Sequence, residues 1–283
     1  MATETQLIRN ISDTALWAAV YRARETERPD AIFRDPFARR LAGERGEVIA
    51  RSLPFSDRAT WAWVTRTYLF DYFIMEQLER GADMVVNLAA GLDARPYRMA
   101  LPSSVRWIEA DLPGILDYKE EILGSEKPVC VLERIRLDLA NVKDRKDVFG
   151  RLGRESQKAV ILTEGLLIYL PAQDVATLAE DLAAAPGFQR WILDLASPGL
   201  VRMLQKNMGA QLAGAGTLQF GPWEGPEFFT PHGWQPLEVA SPLKTAAKLK
   251  RLSWGMHLAS LLPASNGRQG SRPWSGICLL GKR

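Results

Sequence analysis

Apolar positions in the first 80 residues recur at three- and four-residue spacing, which is the period of an amphipathic helix. The longest predicted helix covers residues 57–80, and its apolar face consists of Trp61, Val64, Tyr68, Tyr72 and Met75. The same spacing predicts a helix over residues 13–28, and Pro36 opens a short helix that ends at residue 41. We therefore expect residues 1–80 to form a helical N-terminal region without a strand.

After residue 83 the pattern changes to short, continuous apolar runs that turn residues separate, as in buried strands. The predicted strands cover residues 84–88, 105–109, 129–132, 159–163 and 188–193. Helical segments are predicted at residues 113–123, 144–152 and 171–185. Because strand and helix alternate, this region predicts an α/β fold with a parallel sheet covered on both faces. A helix over residues 241–252 and an edge strand over residues 277–280 complete the prediction.

Glycine, proline and aromatic residues interrupt this alternation over residues 197–236. We expect an irregular insertion that covers the carboxyl edge of the sheet, where ligands of open α/β sheets bind. The prediction therefore has two parts. Residues 1–80 form a helical region or lid, and residues 81–283 form the core that carries the insertion.

The composition is that of an ordinary globular protein, with 47% hydrophobic and 24% charged residues in 283 positions. A core of this size needs neither a metal nor a disulfide, and the isolated Cys130 and Cys278 predict a reduced cytoplasmic protein. No apolar run approaches the roughly 18 residues of a membrane span. Residues 1–10 are polar and lack the apolar centre of a signal peptide. We expect no membrane partner.

The net charge of +3 is too small to imply a nucleic-acid partner by itself. Its distribution is uneven, because no acidic residue follows Glu238. The basic residues beyond that point are Lys244, Lys248, Lys250, Arg251, Arg268, Arg272, Lys282 and Arg283. This stretch fits either a solvated basic face or an attraction for acidic substrates or a polyanion.

The strongest chemical signal is the turn after the first predicted strand, which reads Asn-Leu-Ala-Ala-Gly-Leu-Asp at residues 87–93. Gly91 lets the backbone approach a ligand closely. A dinucleotide site would instead show GxGxxG and a long helix whose N-terminus holds a pyrophosphate. Here Asp93 places a carboxylate at that position, and Pro96 and Pro102 shorten the following helix. The turn therefore argues against a nicotinamide cofactor, whereas a cationic sulfonium tolerates the carboxylate.

Two carboxylates lie near the end of the second predicted strand, about 20 residues after the glycine turn, where ribose hydroxyls are bound in such folds. Glu109 and Asp111 both qualify by position. Alternatively, Asp111 caps the helix that begins at Pro113.

With these residues in view, the segment over residues 86–98 resembles the first motif of the leucine carboxyl methyltransferase family. The resemblance is closer to the family's bacterial branch of S-adenosylmethionine-dependent O-methyltransferases. Four further segments match in order, at residues 66–71, 109–113, 137–139 and 163–170, and the aromatic residues near 228–234 are similar to the bacterial branch. The resemblance covers roughly residues 13–240 and implies a class I methyltransferase fold, a Rossmann-like doubly wound sheet.

The resemblance also implies roles for individual residues. Arg66 meets the cofactor carboxylate, Glu109 or Asp111 binds the ribose, Asp138 and Leu139 flank the adenine, and Glu164 lies near the cofactor's amino end. The turn contributes Ala89, Gly91 and Asp93. Ala89 stands where the family usually has glycine, and its methyl group is tolerated if the backbone is not at positive φ.

The implied cofactor is S-adenosylmethionine, and the implied reaction is methyl transfer to a carboxyl or phenolic oxygen of a small, possibly polyketide-like, molecule. Such transfer chiefly requires alignment and exclusion of water, and no metal. A phenol needs a base, for which His232 is a candidate, and Tyr169 is a candidate for substrate binding. Two alternatives are a protein C-terminal carboxyl methyltransferase and a non-catalytic cofactor-binding protein. A nucleic-acid methyltransferase is disfavoured, because Thr-Glu-Gly-Leu at residues 163–166 replaces the usual Asn/Asp-Pro-Pro-aromatic string. The sequence predicts no particular oligomeric state.

Overall fold

The computed structural model describes residues 8, 12–52, 56–212, 214, 216–261, 270 and 272–283. The α-helices in these ranges are α1 (Ser12–Thr26), α2 (Ala38–Ser52), α3 (Ser56–Glu79), α4 (Arg95–Arg98), α5 (Pro113–Leu123), α6 (Val142–Glu155), α7 (Ala172–Ala184), α8 (Pro198–Leu212), α9 (Pro242–Lys248) and α10 (Trp254–Ser260). The strands are β1 (Met84–Leu88), β2 (Arg106–Asp111), β3 (Val131–Arg136), β4 (Ala159–Thr163), β5 (Phe188–Ala196), β6 (Trp234–Ala240) and β7 (Ser275–Lys282). Short 3-10 segments occupy Leu167–Tyr169 and Gly225–His232.

The seven strands form one sheet in the order β3-β2-β1-β4-β5-β7-β6. Strands β1 to β5 are parallel, whereas β7 runs antiparallel to both β5 and β6. Leu88 lies opposite Ala110 on one side and Thr163 on the other, so that three neighbouring strands end at the same level. The chain order reverses at β1, and this is where ligands of open α/β sheets bind. The predicted α/β fold is confirmed.

Apolar side chains fill both faces of the sheet. On one face Val85 and Trp107 pack with Phe70 and Phe73 of α3. On the other face, Val86 belongs to a cluster that also includes side chains of α6 and α7. The central strand β1 is buried at all five positions, which explains its continuous apolar sequence.

The prediction for residues 197–236 is wrong at both ends of the segment. Its first part is the helix α8, whose positions Leu200, Leu204, Met208 and Leu212 repeat every four residues, and its last part enters β6 at Trp234. Trp234 is fully buried and donates its indole N–H to the carbonyl of Ala179 at 3.0 Å.

Helix α2 also continues past the predicted end at residue 41. Gly43 has a φ of 57° and a ψ of −174°, so the helix breaks there and resumes towards Ser52. Glycine adopts this conformation without the steric cost that a Cβ would bring. The predicted end is therefore close to a real interruption.

An ion pair joins the basic C-terminal stretch to the N-terminal helices. Arg251 lies 2.8 Å from Glu25 and 3.1 Å from Asp30, and the side chains of Arg251 and Glu25 are only 7% and 1% exposed. At least this member of the basic stretch is therefore an internal partner and not part of a solvated face. Residues 1–7 and 9–11, on which the signal-peptide prediction depends, and Arg268 lie outside the described residues.

Both cysteines are buried and free. Within the ranges given above, no helix combines the length and apolarity needed to cross a bilayer.

Replacing Arg251 with methionine should lower the free energy of unfolding by about 3 kcal/mol, because Glu25 then stays buried without this partner. Urea denaturation measures the change. Lys248→Met, at an exposed position nearby, is the control and should change stability by less than about 0.5 kcal/mol. The Glu25→Gln/Arg251→Met double variant should lose less than the two single variants together. If the losses in unfolding free energy are additive, Glu25 and Arg251 do not stabilise the fold through their contact.

Candidate active site

A cavity of about 720 Å³ opens at the carboxyl edge of the parallel strands. Its wall includes the segments that follow β1, β2, β3 and β4, together with the carboxyl end of β5. Helices α1, α3 and α8 also contribute to the wall. A volume in this range accommodates a ligand of drug size. The cavity thus lies at the edge of the sheet where the strand order predicts a ligand site.

The turn after β1 forms the floor of the cavity. Gly91 has a φ of 50°, and its backbone N–H donates to the Oδ2 atom of Asp111 at 2.6 Å. A Cβ atom at Gly91 would lie 3.2 Å from the Cβ of Ala15 in α1. The backbone conformation and the close helix both favour glycine here. Asp111 also accepts a hydrogen bond from the backbone N–H of Leu112 at 2.7 Å, so the ends of β1 and β2 are tied together.

Ala89 does not meet the condition under which its methyl group is tolerated. Its φ is 52°, in the left-handed region that favours glycine. Ala89 lies in the wall of the cavity, so this strain is located at the site itself.

A buried guanidinium organises the acidic residues beside the turn. Arg95 is 3% exposed and contacts Asp71 at 2.6 Å, Asp93 at 2.8 Å and Glu164 at 2.9 Å. Asp93 also accepts a hydrogen bond from the side-chain amide of Asn87 at 2.8 Å. Although burial raises the pKa of Asp93, the positive charge of Arg95 and more distant cations bring it down to about 2. Asp93 is therefore the ionised counter-charge of Arg95.

Arg66 of α3 forms the second half of this network. Its guanidinium lies 3.0 Å from Glu164 and 3.3 Å from Asp194, and it stacks over the Trp63 ring at 4.6 Å from the centroid. Asp194, on β5, accepts a hydrogen bond from the backbone N–H of Gly165 at 2.7 Å. Burial raises the pKa of Asp194.

The structure brings nine of the eleven predicted site residues to the cavity wall. They are Arg66, Ala89, Gly91, Asp93, Asp111, Asp138, Leu139, Glu164 and Tyr169. The carboxylate of Glu164 is half-buried, and Arg66 and Arg95 both pair with it.

Glu109 is not in the cavity wall. Its side chain is fully buried, 2.6 Å from Lys119 and 2.9 Å from Arg134. Side chains two residues apart on a strand point to the same face, so Glu109 and Asp111 would be expected to point the same way. They do not, because Asp111 lies at the end of the strand and turns towards Gly91. Of the two carboxylates predicted near the ribose, Asp111 thus lies in the cavity wall and Glu109 does not.

His232 is also outside the cavity wall. It lies in the 3-10 segment before β6, where its Nδ1 atom is 2.9 Å from the Oε1 atom of Glu180 in α7. Because this segment packs against α7 and not over the carboxyl edge, His232 is not placed to act as a base.

Tyr169 does line the cavity, and its hydroxyl is hydrogen-bonded to the side chain of Thr14. Burial raises the pKa of Tyr169, so that its phenol stays protonated at neutral pH.

The part of the cavity beyond the charged network is apolar. Its wall includes Trp17 of α1, Trp63 of α3 and one side of α8, together with the segment that follows α8. The apolar side chains on that side are Leu200, Met203, Leu204, Met208, Leu212, Leu218 and Phe220. We call this part the apolar lobe.

Sequence reasoning missed Asp194 and the apolar lobe. Asp194 follows directly on the predicted fifth strand, so an acidic residue at a strand's carboxyl end was a signal that could have found it. The helical spacing of Leu200, Leu204 and Met208 was a second available signal.

Comparison with known proteins agrees with this geometry. The sequence profile of the leucine carboxyl methyltransferase family matches residues 15–183. The chain belongs to this family. It is a methyltransferase that uses S-adenosylmethionine.

Among its bacterial relatives, a protein of Parafrankia sp. (strain EAN1pec) is 31% identical over 257 residues, covering 85% of this chain and 82% of its own length. A protein of Streptomyces coelicolor is 31% identical over 234 residues, covering 78% and 82%. Both carry the name "Putative S-adenosyl-L-methionine-dependent methyltransferase".

Two solved structures share the fold. One is a methyltransferase-like protein from Thermobifida fusca YX, with a TM-score of 0.59 and 15% identity, covering 99% of this chain and 97% of its own. The other is a DUF574 family protein from Streptomyces avermitilis, with a TM-score of 0.56 and 13% identity, covering 94% and 97%. They place the sheet in the class I methyltransferase fold.

The charges in the cavity fit S-adenosylmethionine, which carries a sulfonium, an ammonium and a carboxylate. Among the described residues of the wall, five carboxylates (Asp93, Asp111, Asp138, Glu164, Asp194) face three guanidinium groups (Arg22, Arg66, Arg95). The excess of negative charge suits a ligand with one net positive charge. The wall thus supplies both signs of charge that the methionine end requires.

Ala89→Gly should raise the free energy of unfolding by about 0.5–1 kcal/mol, because glycine removes the left-handed strain and this outweighs its extra freedom in the unfolded chain. Gly91→Ala should have the opposite sign and cost about 1–2 kcal/mol. Chemical denaturation of both variants checks the pair. Destabilisation by Ala89→Gly would contradict the positive φ.

Proposed function

We propose that this protein transfers the methyl group of S-adenosylmethionine to an oxygen atom, carboxyl or phenolic, of a small and largely apolar molecule with a polyketide-like skeleton. The observation that carries the proposal is the continuity of the cavity. Its charged part and the apolar lobe belong to one continuous space.

The charged part is suited to hold the cofactor. Asp111 would bind the ribose hydroxyls, Asp138 and Leu139 would flank the adenine, and Arg66 with Glu164 would meet the carboxylate and amino groups of the methionine end. The Gly91 backbone would lie closest to the cofactor. These assignments are supported by the matching motifs and by the place of each residue in the cavity wall.

The apolar lobe is suited to the acceptor. Its indole and aliphatic side chains offer dispersion contacts and exclude water, and they present few hydrogen-bonding groups. S-Adenosylmethionine supplies an activated methyl group when bound, so the protein mainly has to align the acceptor oxygen with it. Trp63 adjoins both parts, since its ring lies under Arg66 while it faces Trp17 at 4.6 Å between ring centroids.

Asp111→Ala and Glu164→Ala should each weaken S-adenosylmethionine binding by about tenfold or more, because each removes a charge-assisted contact worth about 1.5–3 kcal/mol. Isothermal titration calorimetry measures the affinity, and circular dichroism checks that both variants stay folded. Asp117→Ala, an exposed carboxylate on α5, serves as the control and should bind as tightly as the original protein. Unchanged affinity in both site variants would refute the cofactor assignment.

The reaction itself is tested with methyl-labelled S-adenosylmethionine and a small-molecule extract, with mass spectrometry of the labelled products. We expect methyl ethers or methyl esters of apolar compounds. Label found solely in RNA or at a protein C-terminus would overturn the proposal. Tight cofactor binding without any acceptor would instead favour a non-catalytic binding protein.

A further inference from the structure

The three cations in the cavity wall all have partners within the protein. Arg22 contacts Asp35 at 2.9 Å and the carbonyl of Leu92 at 2.6 Å. Arg66 and Arg95 are engaged with the carboxylates described above. With Arg66 assigned to the cofactor carboxylate, an anionic acceptor would find among the described residues of the wall only Arg22 and Arg95, each already held by the contacts named above, and it would face Asp194 with the same charge. Like charges at close range in a buried site disfavour each other.

Asp194 lies where the charged part of the cavity meets the apolar lobe. It is on β5, and the chain continues from Ala196 into α8, which forms one side of that lobe. Its side chain is 22% exposed, so that it remains accessible from the cavity. A group at this junction can reach an acceptor oxygen whose ring occupies the lobe.

Of the two carboxylates that pair with Arg66, Asp194 has fewer cationic contacts than Glu164. Glu164 contacts two guanidinium groups at 3.0 and 2.9 Å. Asp194 contacts one, at the longer distance of 3.3 Å, and its other oxygen accepts the neutral N–H of Gly165. It consequently keeps more of its capacity to accept a proton.

We infer that the acceptor is a neutral phenol and that the carboxylate of Asp194 accepts its proton during methyl transfer. This inference rests on the proposed O-methyltransferase function and makes its acceptor specific. The phenolic oxygen forms the new bond to the methyl carbon with its own electron pair, and the hydroxyl proton passes to Asp194. The bond between carbon and sulfur breaks with its pair going to sulfur, so that charge and atoms balance.

The charged and titratable groups around Asp194 determine the direction in which its pKa is shifted. Arg66 from α3 lowers its pKa, whereas burial and the neighbouring Glu164 raise it, and the net direction is upward. Tyr169 and Cys278 of β7 also lie within its field, and both are neutral at pH 7 because burial raises the pKa of each. As the pH rises through the elevated pKa of Asp194, the carboxylate forms and kcat/KM should increase.

The first test compares two probes of similar shape, 1-naphthol and 1-naphthoate. Calorimetry with the protein loaded with S-adenosylhomocysteine should show at least tenfold tighter binding of the naphthol, and turnover should yield its methyl ether. Equal or tighter binding of naphthoate, or binding of neither probe, would overturn the inference. Formation of the naphthoate methyl ester would refute it while leaving the proposed O-methyltransferase intact. Methylation solely of nitrogen or sulfur compounds from an extract would refute both.

The second test is Asp194→Asn, which preserves the shape and the acceptor for the Gly165 N–H. We expect kcat/KM for 1-naphthol to fall by about 10²–10⁴ at pH 7. The acidic limb of the pH profile should disappear, and residual activity should rise with pH as the naphthol ionises in solution. Affinity for S-adenosylhomocysteine should stay within about threefold. Asp147→Asn, at an exposed site on α6, is the matched control. An unchanged pH profile in Asp194→Asn would exclude the proton transfer.

Discussion

The burial of Arg95 is the constraint on which the site depends. A guanidinium taken out of water is costly unless several acceptors surround it, and here three carboxylates from different parts of the chain do so. Asp71 comes from α3, Asp93 from the turn after β1 and Glu164 from the segment after β4. Because none of them can move far without leaving the guanidinium unpaired, the network fixes the turn after β1 against α3.

That network also explains why the negative charges of the cavity can coexist. Asp93, Glu164 and Asp194 each share a guanidinium with another carboxylate, so repulsion between the acids is offset inside the protein. The same sharing leaves Asp194 with the weakest pairing. Beyond these charged residues, the wall consists largely of indole and aliphatic side chains.

Much of this arrangement could be predicted from the sequence. The runs at residues 84–88 and 159–163 match β1 and β4 residue for residue, because a strand buried on both faces is apolar throughout. The turn at Gly91 was recognisable, since its conformation admits few residue types. Glu109 and His232 were misplaced, because sequence spacing gives the strand or segment of a residue but not its partners. Lys119 and Glu180, which hold them, lie on helices whose docking the local pattern does not reveal. The strain at Ala89 could not be predicted either, since an alanine in the sequence gives no indication that its φ is positive.

The pairing of Arg251 with Glu25 spans 226 positions along the chain. A contact of such long sequence separation closes a large loop, and the rest of the fold must offset the entropy that this closure costs. Helix α1, which carries Glu25, is also the wall against which Gly91 packs. The helix that lines one side of the cavity is therefore held in place by a segment that lies after α9. Substitutions in that segment, although far from the cavity in sequence, can alter the cavity wall through α1.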